Sequence, residues 1–188
     1  MRITISGPIG SGKSTVGKIL AKSLGYQFFS GGHFFRQQAQ EHGMTIEEFN
    51  LFAESHQEID RKQDQMVVDF LKSHDNVVVE ARLAGWMCHR NGIDAFKVFL
   101  TASLDTRVSR ISRREGSKSD LQALLRIREE SEAKRYMEIY SIDYATTDIT
   151  ATLSPFAGVP MTALIPPGNR SDPLDMLARA DFFTIILE

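Results

Sequence analysis

Polar and apolar positions alternate from Arg2 to Ser6, with Ile3 and Ile5 set between polar neighbours, and the run stops at Gly7. A period of two ended by glycine predicts a short strand followed by a tight loop. From Lys13 the interval changes: Val16, Ile19, Leu20 and Leu24 recur at helical spacing, and Gly25 is placed to cap the helix. A second strand is expected over residues 26–29. A helical pattern carried by Phe34, Phe35 and Ala39 then stops near Gly43, and Thr45-Ile46-Glu47-Glu48 is a capping-box signature for a helix bearing Phe49 and Ala53. Residues 59–71 continue helically, with Met66, Val67, Phe70 and Leu71 on one face. Val77-Val78-Val79 and residues 95–100 are mostly apolar runs, as expected of strands covered by helices on both faces. Two further helices, polar over most of their surface, are expected at 104–115 and 121–140, with an interruption at Gly116-Ser117. Strand alternating with helix predicts an α/β fold around a parallel sheet.

After Ile149 the pattern lapses. Lysine disappears and five of the six prolines fall at Pro155, Pro160, Pro166, Pro167 and Pro173. Before that point no repeat or long linker breaks the series, and 188 residues with 42% apolar content suit a single domain with a substantial core.

Charge narrows the function classes. With 22 Lys and Arg against 24 Asp and Glu, the net charge of −2 supplies no overall field for nucleic acid or an anionic membrane, so functional positive charge must be local. Cys88 is the only cysteine, which forbids an internal disulfide or a Cys-x-x-Cys zinc clip and suits a reducing cytosol. The N-terminus leads directly into glycines, and no apolar run is long enough for a bilayer span, so the expectation is a cytoplasmic protein. His33, His42, His56, His74 and His89 show no metal-ligand spacing and are read as surface or loop residues; Trp86 and Cys88 are read as packing residues.

Gly7-Pro8-Ile9-Gly10-Ser11-Gly12-Lys13-Ser14, followed by Thr15, fits the phosphate-loop pattern G-x-x-x-x-G-K-[ST] in its proper context between strand and helix. Its glycines let backbone N–H groups turn inward around phosphate, and the following helix adds its free N-terminal donors and the positive end of its dipole. Lys13 is expected to reach the β- and γ-phosphates of a nucleoside triphosphate, and the Ser14 hydroxyl to ligate Mg²⁺. Glu80, at the end of the valine run, stands where such proteins place the acid that holds a Mg²⁺-bound water.

Arginines make up most of the remaining candidate chemistry. Arg107, Arg110 and Arg114 share one helix face, with Arg113 beside them, and a mobile arginine-bearing segment can neutralise the equatorial oxygens of a transferring phosphoryl group. Alone, such a run is equally well a solvated basic face. Arg128, Glu132 and Arg135 share another face, which by itself is an ordinary intrahelical salt bridge. Arg82 follows a strand on the side where open α/β sheets bind ligands, though it could serve only to pair with a carboxylate, and Arg36 follows Ser30-Gly31-Gly32 closely. No dedicated general base stands out, although Asp60, Asp64 and Asp94 are available. Phosphorylating an alcohol calls for such a base, whereas a phosphate monoester, with its second pKa of about 6, is already largely dianionic. Phosphoryl transfer onto a phosphate is therefore favoured.

These residues together resemble the cytidylate kinase family, specifically its short archaeal type, within the adenylate-kinase-like nucleoside monophosphate kinases. The likeness covers residues 1–148. It rests on the phosphate loop, the Ser30-Gly31-Gly32 to Phe35-Arg36 segment, Glu58-Ile59-Asp60, Glu80-Ala81-Arg82-Leu83-Ala84-Gly85-Trp86, Arg113-Arg114-Glu115-Gly116, and the stretch from Arg128 to Tyr136. It implies a three-layer α/β/α P-loop kinase with a central parallel sheet of about five strands, a monophosphate-binding segment at residues 31–60 and a lid at residues 107–127. It also implies that Ser30, Arg36 and Arg82 hold the acceptor phosphate, that Arg110 and Arg114 belong to the lid over ATP, and that Arg128, Glu132 and Arg135 face the acceptor. Lys13, Arg82, Arg110, Arg114 and Arg128 would be catalytic. The implied reaction is ATP and CMP giving ADP and CDP, with dCMP a second substrate, Mg²⁺ as cofactor and the protein a monomer. A kinase for AMP, UMP or shikimate, or a non-catalytic nucleotide switch, are the alternatives.

Three departures from the family pattern stand out. Ala81 replaces a glycine, His33 replaces an acid, and residues 149–188 lack the family's usual final strand. Within that atypical segment residues 161–165 are expected to close the sheet, 166–173 to form a loop near adenine, 174–180 a last helix, and 182–187 an added apolar tail.

Overall fold

The computed structural model describes residues 1–116 and 120–144, and the backbone of residues 182–187. Its elements are β1 (Arg2–Ser6), α1 (Lys13–Leu24), β2 (Gln27–Ser30), α2 (Gly31–Glu41), α3 (Ile46–Glu54), α4 (Glu58–Ser73), β3 (Val77–Glu80), α5 (Ala84–Arg90), β4 (Phe96–Ala102), α6 (Leu104–Glu115), α7 (Leu121–Tyr140) and β5 (Phe182–Leu187). The strands pair in parallel in the order β2-β3-β1-β4-β5.

The period-two pattern decides which residues face which layer. Ile3, Ile5, Val78, Val98 and Leu100 point to one side, where they meet Ala21, Leu20 and Leu24 of α1. Val77 and Val79 point to the other and meet Val67 and Leu71 of α4 and Ala84 and Cys88 of α5. The sheet is thus covered on both faces, which accounts for the uninterrupted valines of β3. Trp86, Met87, Phe99 and Tyr136 extend the second layer to α7. Gly17 lets α1 lie close on β2, since a Cβ there would come within 2.6 Å of the Phe28 ring.

Two elements differ from expectation. Helix α5 has seven residues, of which Ala84, Gly85, Trp86, Met87 and Cys88 are buried, so no polar face exists to make a period visible. The expected apolar tail is instead β5, the sheet's fifth strand, paired with β4 from Lys97↔Phe182 to Ala102↔Leu187. The physical reason is that β4 has backbone donors and acceptors on its outer side, and an apolar, β-branched run satisfies them. Residues 161–165 and 174–180, expected to form the closing strand and last helix, lie outside the described residues.

Sheet register sets the site. Ser30 pairs with Glu80, and Glu80 with Ile5, so the ends of β2, β3 and β1 lie level at the carboxyl edge where the phosphate loop begins.

Candidate active site

Residues 7–12 carry the chain from β1 into α1. Gly7 has φ +141°, and a Cβ there would come within 2.0 Å of the Leu100 carbonyl oxygen; Gly10 has φ +78° and lies against Arg107. Only glycine lets the loop turn this closely over β4 and α6. The Lys13 ammonium donates to the carbonyls of Gly7 at 2.8 Å and Pro8 at 2.7 Å. Burial, with Arg82 adding to it, holds its pKa well below the usual lysine value. Pro8 and Ile9 complete the loop, and Ser11 is fully buried within it.

Beside the loop lies a pair of hard oxygen donors. The Ser14 hydroxyl donates to Glu80 Oε1 at 2.9 Å, and the Ser30 hydroxyl donates to the same oxygen while accepting the His33 N–H at 3.1 Å as the cap of α2. Glu80 is itself buried. The Ala81 methyl lies next to Gly31, where a Cβ would stand 2.9 Å away, so the alanine is accommodated by the glycine facing it.

A cleft of about 670 Å³ opens here. Lys13, Ser14, Thr15 and Glu80 line one part; Arg36, Arg82 and Arg128 line another; Arg110, Arg113 and Arg114 of α6 close a third. Helix α6 is tied down over the loop: Arg107 donates to the Ile9 carbonyl at 3.1 Å and pairs with Glu129, and Arg110 donates to the Ser11 carbonyl at 2.9 Å. Arg114 pairs with Glu115, whose other oxygen is 3.7 Å from Arg128. Ile9, Ile111, Leu121 and Leu125 form the apolar base beneath these charges.

The arginines divide into two groups by how their charge is met. Arg82 donates to Glu132 at 2.6 Å and 3.4 Å; burial opposes its charge, but Glu132 outweighs that and raises its pKa. Glu132 answers in kind: burial raises its pKa, yet Arg82 beside it brings it below the usual carboxylate range. Arg135 is 1% exposed and spends four N–H donors, on Asp60 at 2.7 Å, the Asn50 carbonyl at 3.0 Å, Ser131 at 2.8 Å and the Asn50 side chain at 3.2 Å. Arg36 and Arg128 belong to the second group: burial, ahead of neighbouring charges, lowers the pKa of each. With Lys13 they form a set of cations whose surroundings hold too little negative charge, the electrostatic condition for binding anions.

Against this geometry, the cytidylate kinase-like family model matches residues 2–150. The chain belongs to that family. The kinase is 54% identical over 144 residues to a cytidylate kinase of Thermoplasma volcanium, covering 76% of each chain. It is 42% identical over 187 residues to a cytidylate kinase of Thermoplasma acidophilum, covering 98% of this chain and 97% of that one. A gluconokinase structure from Sinorhizobium meliloti, at 22% identity, shares the fold with a TM-score of 0.51 over 69% of this chain and 73% of that one.

The kinase therefore has the three-layer α/β/α P-loop fold expected of it. Its expected site residues line one cleft or the small pocket beside it, Glu132 and Arg135 only the latter, except Gly7, Pro8, Ser11 and Ser30, which line neither; Ser30 joins the site through its hydrogen bond to Glu80. Among the described residues no cluster of three or more His, Cys, Asp or Glu could hold a metal, and no helix is long and apolar enough to cross a membrane. A metal would fit Ser14 and Glu80 only in company with substrate oxygens and water, which is the habit of Mg²⁺. Arg113, off the face shared by its neighbours and without an expected role of its own, also lines the cleft, and Gln63, which sits one turn beyond Asp60 and is not among the expected site residues, lines the small pocket. The signal for Gln63 was its i, i+3 relation to Asp60.

Proposed function

We propose that this kinase transfers the γ-phosphoryl group of ATP to CMP, and to dCMP, giving ADP and CDP or dCDP. The observation that carries the reading is the way charge is met in the cleft. Lys13, Arg36 and Arg128 lack sufficient counter-charge, while the carboxylates lining the cleft and its small pocket are all engaged: Glu80 by Ser14 and Ser30, Glu132 by Arg82, and Asp60 by Arg135. Such a site binds anions and, among the described residues, has no lining carboxylate free to take a proton from an alcohol. A phosphate acceptor needs none, because its nucleophilic oxygen is already deprotonated at neutral pH.

In this reading residues 7–15 cradle ATP through backbone N–H groups, and Lys13 leaves the Gly7 and Pro8 carbonyls for the β- and γ-phosphates. Ser14 and Glu80, the latter through water, would hold Mg²⁺, which when bound screens the charge of the triphosphate. Ser30 and Arg36 bind the acceptor phosphate, and Arg82, kept in place by Glu132, reaches it from the sheet edge. Arg110, Arg114 and Arg128 neutralise the oxygens of the group in flight. Arg135 has almost no donor left for a ligand, so it acts by holding α3 and α4 to α7. Residues 31–60 and 107–127 serve as the acceptor-binding segment and the lid of a single kinase domain, monomeric and cytoplasmic, with Phe182–Leu187 as the sheet's fifth strand.

A coupled assay of ADP release across CMP, dCMP, UMP, AMP and shikimate tests the reading. CMP and dCMP are expected to give the highest kcat/KM, and a strong preference for any other acceptor overturns it.

A further inference from the structure

Next to the cleft, sharing Gly32, Arg36, Glu80, Arg82 and Arg128 with it, lies a pocket of about 50 Å³. The rest of its lining is of different character: Phe35 of α2 and Ile46 of α3 are apolar, and Asp60 and Gln63 come from α4. Gln63 is 9% exposed, and its amide oxygen is buried without a hydrogen-bond partner among the described residues. Buried amide oxygens are rarely left unpaired, since desolvation removes water and nothing replaces it. An unmet acceptor in a pocket lined both by apolar side chains and by the arginines of the cleft suits a flat group that carries an N–H donor on its edge and is linked to an anion.

We infer that Gln63 is the residue that reads the base of the acceptor, its amide oxygen accepting a hydrogen bond from the 4-amino group of cytosine. This rests on the proposed acceptor being CMP, and it names a determinant of that specificity. The complementarity is bidentate: the amide oxygen meets the 4-amino N–H while the amide NH₂ donates to ring N3. Uracil presents the reverse pattern, an acceptor at position 4 and a donor at N3. To pair with it the amide must turn its NH₂ into the buried position now held by the oxygen. Phe35 and Ile46 supply the apolar surface for the ring, and Arg36 and Arg82 keep the phosphate at the mouth. The small pocket widens as the acceptor enters, in line with the segment motion common in phosphotransferases.

The test is steady-state kinetics of the full chain and of Gln63→Leu with CMP and UMP, with ATP binding and thermal melting as controls. For Gln63→Leu the KM for CMP is expected to rise about tenfold or more. The kcat at saturating CMP and the affinity for ATP should stay close to wild type, and the CMP-to-UMP preference should collapse. A folded variant with wild-type ATP affinity, wild-type KM for CMP and an unchanged preference overturns the assignment. Should Gln63→Leu fail to fold, Gln63→Met takes its place. It keeps the length of the side chain and loses both the acceptor for the 4-amino group and the donor to N3, so KM for CMP rises and the CMP-to-UMP preference falls; an unchanged KM and preference overturn the assignment. A wild-type enzyme that favours an acceptor other than CMP or dCMP overturns both this inference and the functional reading. A wild type that favours CMP, with Gln63 silent, overturns this inference alone.

Discussion

Lys13 and Arg36 line one cleft, and their roles separate by the elements that carry them. Lys13 follows the phosphate loop and now rests on two loop carbonyls, whereas Arg36 projects from the helix that Ser30 caps. Lys13→Ala is expected to lower kcat about a hundredfold or more with little change in CMP affinity. Arg36→Ala should chiefly raise the KM for CMP, by about tenfold or more, because a charge-assisted contact to the acceptor phosphate is lost. Equal losses of both parameters in both variants, measured by steady-state kinetics and CMP titration, would contradict the assignment.

Asp64 yields a prediction of another kind. Burial pushes its carboxyl up to about 7, although Tyr140 donates to it at 2.8 Å; nearby Asp60 adds to the rise and Arg135 opposes it. The folded pKa lies above the unfolded value of about 3.9. The folded state therefore holds the proton more tightly, and this contribution to stability is present below pH 4 and lost as pH climbs to 7. Asp64→Asn is expected to remove that slope: between pH 5 and pH 8 its melting temperature should fall less than that of the wild type. Parallel melting curves for the two proteins across that range would show that the group does not titrate there.

At the scale of elements, one side chain of α7 reaches both α3 and α4. Arg135 joins Asp60 of α4 to both ends of the Asn50 residue of α3, and Lys134 adds an outer contact to Glu54 at 2.9 Å. Removing one partner of a buried pair strands the other, at a cost of about 3–5 kcal/mol. Arg135→Met should thus lower the melting temperature markedly, and adding Asp60→Leu should restore much of the loss. A stable Arg135→Met protein with a raised KM for CMP would instead assign Arg135 to ligand contact.

Arg135 also illustrates how far the sequence could be read. The i, i+4, i+7 spacing of Arg128, Glu132 and Arg135 placed the three on one face, and the structure places them around one pocket. Spacing carried no information about partners on other helices, so the pairing of Glu132 with Arg82 and of Arg135 with Asp60, 50 and 75 residues away in the chain, was invisible. The phosphate loop was legible because its geometry is local: glycines, lysine and serine act within a single turn. The capping box at Thr45 and Glu48 was legible for the same reason, and both of its hydrogen bonds are present. Helix α5 escaped because buried surroundings removed its polar face, and β5 because its pairing with β4 depends on a contact of long separation in sequence.

Over the whole molecule, a net charge of −2 conceals a separation of charge. Lys13, Arg36, Arg82, Arg110, Arg114 and Arg128 all line one cleft at the carboxyl edge of the sheet, where the ends of β1, β2 and β3 lie level. A chain nearly neutral overall can in this way concentrate positive potential where two phosphate-bearing ligands must approach each other despite their mutual repulsion. Parallel topology provides the platform, because each strand ends at the same edge and delivers one functional segment there: the phosphate loop after β1, Ser30 at the end of β2, and Glu80 with Arg82 after β3.

The most direct test of this account identifies the product. The purified chain is incubated with ATP, Mg²⁺ and CMP, and the nucleotides are separated and quantified over time. CDP and ADP are expected to appear in equal amounts, with negligible ADP when CMP is omitted. ADP that forms without CDP, or no turnover in the complete mixture, would contradict the claim that this cleft passes a phosphoryl group from ATP to CMP.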